Sequence, residues 1–300
     1  MKPKLVALTG AGISAESGFS TFRDANGLWE QYPVQQVATP EGWQADPNLV
    51  TDFYNHLRSQ LATAEPNDGH RILAELEHWF DVTVVTQNID DLHERAGSSD
   101  IIHLHGDLRK VCSSRDPNDP RYIQTLSAEE SQVAHGTLAG DGSLLRPWIV
   151  WFGEAVPNLE PAAEKAMEAD VFVIIGTSLN VYPAASLIRY VPRNAKVFLI
   201  DPKPVNVPYT GHQVEVIKDV ASRGMVTLKK IKDTAGYIAY IYPKSLVFGI
   251  VIFVISIVAI VSDCLKKIPY WSYVEMIIFV AVIIWFSNML RNAREKFVKF

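Results

Sequence analysis

The chain has 300 residues, 48% of them hydrophobic, and a formal net charge of −5; that length suits one large or two ordinary domains. From Asp233 onward seven Lys/Arg face four Asp/Glu, a net charge of +3, which leaves −8 on the residues before it. An acidic front part excludes nucleic acid as the main ligand, because a phosphate backbone wants a basic face, and two widely separated cysteines, Cys112 and Cys264, exclude a disulfide framework and fit a reducing compartment.

Residues 5–8 are a short apolar run that reads as a buried strand. It leads into Gly10-Ala11-Gly12-Ile13-Ser14-Ala15-Glu16-Ser17-Gly18. Small residues here let the backbone turn tightly and approach a ligand closely. The turn should open a helix whose N-terminal N–H groups favour a phosphate, although the spacing is not that of the usual dinucleotide fingerprint. Residues 48–63 and 67–80 read as helices, the second capped near Asn67 or Asp68. A second apolar strand, 82–85, runs into Thr86-Gln87-Asn88-Ile89-Asp90-Asp91-Leu92-His93, and Ile101-Ile102-His103-Leu104-His105-Gly106 follows. Residues 112–147 are polar and rich in Asp, Pro, Ser and Gly, and read as a small second module. Strands at 171–175 and 197–200 end in Gly176-Thr177-Ser178-Leu179-Asn180-Val181 and in Asp201. Short apolar strands separated by helical patterns predict an α/β fold, a Rossmann-like, mostly parallel sheet covered on both faces. The chain enters its first strand within a few residues, so no cleavable leader is expected.

The tail has a different character. Residues 245–261 and 276–290 are nearly all apolar, the second run extended upstream by Tyr270, Trp271 and Tyr273. At roughly −0.3 to −0.6 kcal/mol per Leu, Ile, Phe or Val, insertion of such a run is favourable by several kcal/mol. Neither run offers a polar face, which favours a membrane over a buried helical pair. The connector carries Lys266 and Lys267, against Lys229, Lys230, Lys232 and Lys244 on one flank and Arg291, Arg294, Lys296 and Lys299 on the other. That excess predicts a transmembrane hairpin with both ends on the cytoplasmic side. The expected organisation is a 1–232 enzyme domain, a 233–244 linker, two spanning helices within 245–290 and a basic tail at 291–300, the whole placed at the cytoplasmic membrane.

The Gly10 to Asp24 stretch, the Thr86–His93 and Ile101–Gly106 segments, Trp151-Phe152-Gly153-Glu154 and the Gly176–Val181 segment occur in the order in which sirtuins carry them. Over about residues 1–232 the chain resembles a bacterial sirtuin, an NAD-dependent protein-lysine deacylase. The resemblance implies NAD as cofactor, an acyl-lysine protein or peptide as substrate, and nicotinamide and O-acyl-ADP-ribose as products. A different use of the same pocket is NAD hydrolysis or ADP-ribosyl transfer; a non-enzymatic reading is a membrane-anchored NAD sensor or scaffold.

His105, before Gly106, matches the family's His-Gly pair and is the expected catalytic base; an imidazole can take a proton from a ribose hydroxyl near pH 7 without prior activation. His103 and His93 are expected to be structural. Asn88 and Asp90 lie past a strand end, where open α/β sheets place ligands; an amide and a carboxylate suit a ribose, a water and the nicotinamide carboxamide, and Asn88 is expected to assist catalysis. By the resemblance the cofactor is also met by Gly10, Ala11, Gly12, Ser14, Gln87 and Ile89, by Phe22 and Arg23 of a closing loop, and by Gly176, Thr177 and Ser178. Asp201, where most relatives have Asn, and Ala221 complete the adenosine side. The substrate would be clamped between Phe152-Gly153 and Val181 by backbone pairing, with Val150, Ala38, Tyr54 and Leu57 around the acyl group.

Two departures stand out. The family holds zinc with two Cys-x-x-Cys pairs, and here Cys112 is followed by Arg115 where its partner would stand. One thiolate cannot build a tetrahedral site, so no zinc is expected. Relatives that remove succinyl or malonyl groups carry Tyr-x-x-Arg; here Tyr54 is followed by Leu57, with Arg58 next. One residue turns a helical side chain by about 100°, so acetyl or other apolar acyl groups are expected over succinyl.

Overall fold

The computed structural model describes residues 2–19, 32–127, 131–207, 210–265 and 271–297. The contacts divide the chain into two compact units, Met1–Val226 and Thr227–Phe300. In chain order the elements are β1 (Lys4–Thr9), α1 (Ala11–Ser14), α2 (Val34–Val37), α3 (Pro40–Ala45), α4 (Pro47–Thr63), α5 (Asp68–Leu76), β2 (Asp81–Thr86), α6 (Leu92–Ala96), β3 (Ile101–His103), β4 (Gly106–Ser113), β5 (Gln124–Thr125), β6 (Leu145–Ile149), α7 (Leu159–Met167), β7 (Val171–Ile175), β8 (Lys196–Ile200), β9 (Val214–Ile217), α8 (Ala221–Leu265) and α9 (Trp271–Phe297).

Six strands form one sheet in the order β3-β2-β1-β7-β8-β9, parallel at every pairing. The central strands are buried along nearly their whole length, as a sheet covered on both faces requires. One layer packs Val6, Leu8, Phe172, Ile174, Val197 and Leu199 against Ala162, Ala166 and Ile188. The strand order reverses between β1 and β7, and such a reversal opens a crevice at the carboxyl ends of the strands.

Local chemistry sets the helix starts. The Asp46 carboxylate accepts from Asn48 N–H at 3.1 Å and Leu49 N–H at 3.0 Å, with Pro47 in the first turn of α4. Asn67 caps α5, and His70 bonds back to the Asn67 N–H in a reciprocal capping arrangement. The helix after the Gly10 turn is shorter than the sequence suggests. α1 lasts one turn, tightens into a 3₁₀ turn over Ala15–Ser17 and stops at Gly18 in the left-handed region.

A second, antiparallel sheet, β5-β4-β6, forms the small module. It begins at Gly106, six residues before the polar stretch that announced it. Its interior is small, with Val111, Ala139 and Leu145 buried together.

In the second unit the backbone is helical through residues 233–244, the segment read as a linker. Two stretches, Tyr240–Val261 and Met276–Ala293, are long and apolar enough to cross a membrane. Phe248 and Phe286 stack with ring centroids 4.0 Å apart. Lys266 and Lys267 of the connector, and Tyr270 upstream of the second run, lie outside the described residues.

Candidate active site

The crevice at the β1/β7 reversal opens into a cavity of about 460 Å³. Gly10 and Gly12 make its floor. Gly10 N–H donates to Ile175 O at 3.0 Å and Gly12 N–H to Gly176 O at 2.9 Å. A Cβ on Gly12 would lie 2.7 Å from Gly176 Cα, so only glycine allows the two strand ends to meet this closely. These two amides are engaged within the protein, where they hold the turn against the end of β7.

Gln87 bridges the reversal, its Nε2 donating to Thr177 Oγ1 at 3.0 Å. Its backbone carbonyl accepts from His105 Nδ1 at 2.9 Å. A carbonyl can only accept, so Nδ1 carries the proton and Nε2 of the neutral ring is left as an acceptor. Burial pushes the His105 pKa down, partly offset by the Gln87 carbonyl, so the ring is neutral at pH 7. The His105 carbonyl accepts from Val150 N–H at 3.0 Å, tying it to the chain just past β6. His105 lines the cavity together with Ala11, Asn88, Ile89, Ser178 and Asp201.

His103 differs. Its Nε2 meets Glu94 Oε1 at 2.7 Å and its Nδ1 lies 3.3 Å from Asn88 O. Burial opposes its charged form, but the Glu94 carboxylate outweighs that and raises the pKa.

Behind the cavity wall sits a buried polar chain. Asn67 N–H donates to His70 Nδ1 at 3.3 Å, so His70 presents Nε2–H to Ser14 Oγ at 3.4 Å. The Ser14 hydroxyl donates to Asp90 Oδ2 at 2.9 Å and accepts from Asn88 Nδ2 at 3.1 Å. Burial raises Asp90 to about 6, against the bonds from Ser14 and Leu92 N–H. Burial lowers His70 to about 4 and holds His93 well below the usual histidine value. His93 Nε2 lies 3.1 Å from Thr9 Oγ1.

The other wall is apolar. Ala38, Tyr54, Ile149, Val150, Trp151, Phe152 and Gly153 line it, and Val181 and Tyr182 face them across the opening. Phe152 N–H donates to Ala38 O at 3.0 Å, and Trp151 Nε1–H to Tyr54 Oη at 3.0 Å. Burial raises the Tyr54 pKa, so its hydroxyl is neutral. Leu179 holds φ at 55°, a left-handed conformation that costs a non-glycine residue about 1–2 kcal/mol, beside the opening.

The structure therefore brings together on one cavity Gly10, Ala11, Gly12, Gln87, Asn88, Ile89, His105, Gly176, Thr177, Ser178 and Asp201 with Ala38, Tyr54, Val150, Phe152, Gly153 and Val181. It does not bring four expected residues to that surface. Ser14 and Asp90 belong to the polar chain behind it. Leu57 is fully buried in the core beneath, with Phe53 and Leu61. Ala221 is buried, and its neighbour Val220 lines the cavity instead. Phe22 and Arg23 lie outside the described residues. Sequence reasoning passed over Trp151, Lys203 and Val205 as lining residues. Trp151 had a signal, because it opens the quoted Trp-Phe-Gly-Glu segment.

The residues of the small module do not fit a zinc ion. Cys112 is buried, its Sγ 3.8 Å from Pro147 O. Among the described residues no three His, Cys, Asp or Glu side chains converge on a metal position. The neighbouring corner is closed by hydrogen bonds. Ser113 Oγ–H donates to Asp141 Oδ2 at 2.7 Å, and Ser143 Oγ–H to Asp141 Oδ1 at 2.7 Å.

Residues 10–183 match the model of the Sir2 family. An NAD-dependent protein deacylase of Bacteroides thetaiotaomicron is 63% identical over 227 residues, 76% of this chain and 97% of that protein. This chain belongs to the Sir2 family. Another Sir2 relative, an NAD-dependent protein deacylase of Helicobacter pylori, is 50% identical over 75% of this chain and 95% of its own length. The fold matches the crystal structure of a Sir2 homolog–NAD complex with a TM-score of 0.66 at 38% identity, covering 76% of this chain and 88% of that one. It also matches a Sir2 mutant solved with a deacetylated p53 peptide and 3′-O-acetyl-ADP-ribose, with a TM-score of 0.62 at 28% identity over 76% and 93% of the two chains. The Sir2 match ends before the apolar tail, so the tail is an addition to the part shared with these relatives.

Proposed function

We propose that the chain removes acyl groups from protein lysine with NAD as co-substrate, releasing nicotinamide and O-acyl-ADP-ribose. One observation carries this reading: a neutral histidine with its accepting nitrogen in a cavity that joins a polar dinucleotide crevice to an apolar slot. The named relatives support it. The crevice fits NAD by the close approach at Gly10 and Gly12 and by the amide, hydroxyl and carboxylate groups of Gln87, Asn88, Thr177, Ser178 and Asp201 along it. NAD, when bound, supplies an electrophilic ribose carbon whose bond to nicotinamide breaks. Asn88, whose amide nitrogen donates to Gly10 O at 3.2 Å and Ser14 Oγ at 3.1 Å, would hold the part of the cavity wall that receives the ribose. His105 takes a proton at Nε2, so that a ribose hydroxyl can attack the acyl carbon, and Gln87 O keeps the ring in the tautomer this needs. Ala38, Tyr54 and Trp151 exclude water from the acyl group.

Neutral acyl groups fit best. The Arg58 guanidinium is buried and turned to Leu108 O, at 2.8 Å from Nε, and to Asn55 Oδ1, at 3.0 Å from Nη1. The side chains of the apolar wall, Ala38, Tyr54 and residues 149–153, offer a distal carboxylate no cation. The reaction needs no zinc, since the small module closes on its own hydrogen bonds. Tyr240–Val261 and Met276–Ala293 enter the cytoplasmic membrane as a hairpin, with the enzyme on the cytoplasmic side.

Mass spectrometry of products from NAD and matched acetyl- and succinyl-peptides tests the activity. Peptide-dependent nicotinamide release and acetyl-ADP-ribose are expected; release without peptide would mean NAD hydrolysis, and faster desuccinylation would reject the acyl choice. Elemental analysis with stoichiometric zinc would reject the metal-free module, and complete release of the chain from membranes by alkaline carbonate would reject the hairpin.

A further inference from the structure

The apolar wall of the slot is braced by a charged side chain from the small module. Arg146, on β6, is 4% exposed. Its Nη1 donates to Glu154 Oε1 at 2.8 Å and its Nη2 to Glu154 Oε2 at 3.1 Å, a two-point fork, while Nη2 also reaches Ile149 O at 2.8 Å. Glu154 Oε2 in turn accepts from Trp151 N–H at 2.8 Å. The guanidinium carbon lies 3.4 Å from the centroid of the Trp151 ring. That ring donates its N–H to Tyr54 Oη. One cation therefore holds the residue 151–154 loop at its acid and at its indole face, and ties the Ile149 carbonyl just before it. Only a planar, forked cation can do all three at once.

Trp151, Phe152, Gly153, Glu154 and Tyr54 all line the cavity, whereas Arg146 does not. The side chain that sets this wall is thus one that no substrate touches. A buried charge is expensive to retain, and a hydrophobic residue of similar length would pack this strand more cheaply. Its retention needs a reason beyond stability, and the loop it holds supplies one.

We propose that Arg146 is a positioning residue for substrate selection: through Glu154 and Trp151 it sets the width of the acyl slot and the edge that receives the peptide. This rests on the deacylase reading above. The chemistry at His105 lies outside the brace, since the His105 ring is held by Gln87.

The test compares wild type with Arg146→Met and Glu154→Gln in the full chain, each assayed with NAD and with acetyl-, butyryl- and octanoyl-peptides. Both variants are expected to raise the acyl-peptide KM by about tenfold and to shift preference toward the longer chains. The KM for NAD should stay within about twofold, and kcat at saturating peptide within about threefold. A residue that served folding alone would scale all substrates together through the amount of active enzyme. Arg146→Lys keeps the charge but not the fork, and is expected to restore less than half of the lost selectivity. Should Arg146→Met fail to fold, Arg146→Lys, which keeps the charge and removes the fork away from the cavity surface, carries the test together with Glu154→Gln. Unchanged chain-length preference in a folded variant overturns the proposal. A wild-type enzyme that consumes none of the peptides overturns the deacylase reading, and with it this inference.

Discussion

Gly176→Ala is a stringent probe of the crevice. Gly176 holds φ at +59°, which costs a residue with a side chain about 1–2 kcal/mol. Its new Cβ would sit 2.4 Å from Ile13 N, 2.6 Å from Gly12 C and 2.7 Å from Gly12 Cα. All three are backbone atoms, so no side chain can swing aside. Pushing β1 and β7 apart there adds about 1–3 kcal/mol of overpacking. The sum is roughly 2–5 kcal/mol, which for a unit of this size lowers Tm by on the order of 10 °C. Gly136 is the control, since it has a similar φ of +74° and open space around its would-be Cβ. Gly136→Ala should cost only the conformational part, roughly 1–2 kcal/mol. Urea titration followed by far-ultraviolet circular dichroism gives the midpoint and slope for both variants. If Gly176→Ala unfolds with the same midpoint as Gly136→Ala, the strand ends do not meet as described, and the dinucleotide crevice loses its geometric basis.

His105→Ala should leave NAD affinity near wild type by calorimetry and cut kcat by about 10²–10⁴-fold, the usual worth of a general base. Because burial lowers the His105 pKa, the acid limb of the kcat/KM profile should fall below the pH 6.5 of an ordinary histidine; a limb above it would contradict the neutral-ring assignment. His70 is neutral when folded, lowered to about 4 by burial, and binds a proton once unfolded near pH 6.5, so its contribution is present above 6.5 and lost as pH falls toward 4. Replacing it with Gln, which can serve the same capping position, should shrink the difference in unfolding free energy between pH 6.5 and 4.5 by about 2–3 kcal/mol relative to wild type; an unchanged difference would mean His70 is charged in the fold. Asp141→Ala removes the shared acceptor of Ser113 and Ser143, and should speed hydrogen exchange at residues 113 and 143 by at least tenfold, with no recovery on adding zinc.

Much of the site was legible because strand ends are. Apolar runs followed by Gly, Asn, Asp or Ser mark where a parallel sheet stops, and Gly10, Asn88, Gly176 and Asp201 do lie on one cavity. Asn67 was readable as a cap for the same local reason. What failed was rotation about the chain. Leu57 and Tyr54 sit on one helix, yet only Tyr54 reaches the cavity; the pattern gives spacing along α4 and not its rotation against β6. Ser14 and Asp90 sit in the right segments but are satisfied by each other, a pairing 76 residues apart that no local pattern encodes. β9 escaped because its exposed Glu215 and Val216 lack the continuous burial that marked the central strands. Arg146 left a trace, a cation between Leu145 and Pro147 in an otherwise apolar run. Such a residue is almost never buried unpaired, so its presence there already required a partner such as Glu154.

Two histidines two residues apart show why a motif match needs a partner before it assigns a role. His103 and His105 are both largely buried, and burial alone would depress both. His103 faces Glu94, a carboxylate that favours the protonated ring, so its pKa rises and both nitrogens are engaged. His105 faces only the Gln87 carbonyl, which orients a proton on Nδ1 without adding a charge. The neutral ring with an open nitrogen is therefore the one on the cavity. Exchanging the two environments would favour the protonated form of the cavity histidine and engage its open nitrogen. The base thus depends on a partner four residues before Asp91 and on the carboxylate at Glu94 being kept for the other ring.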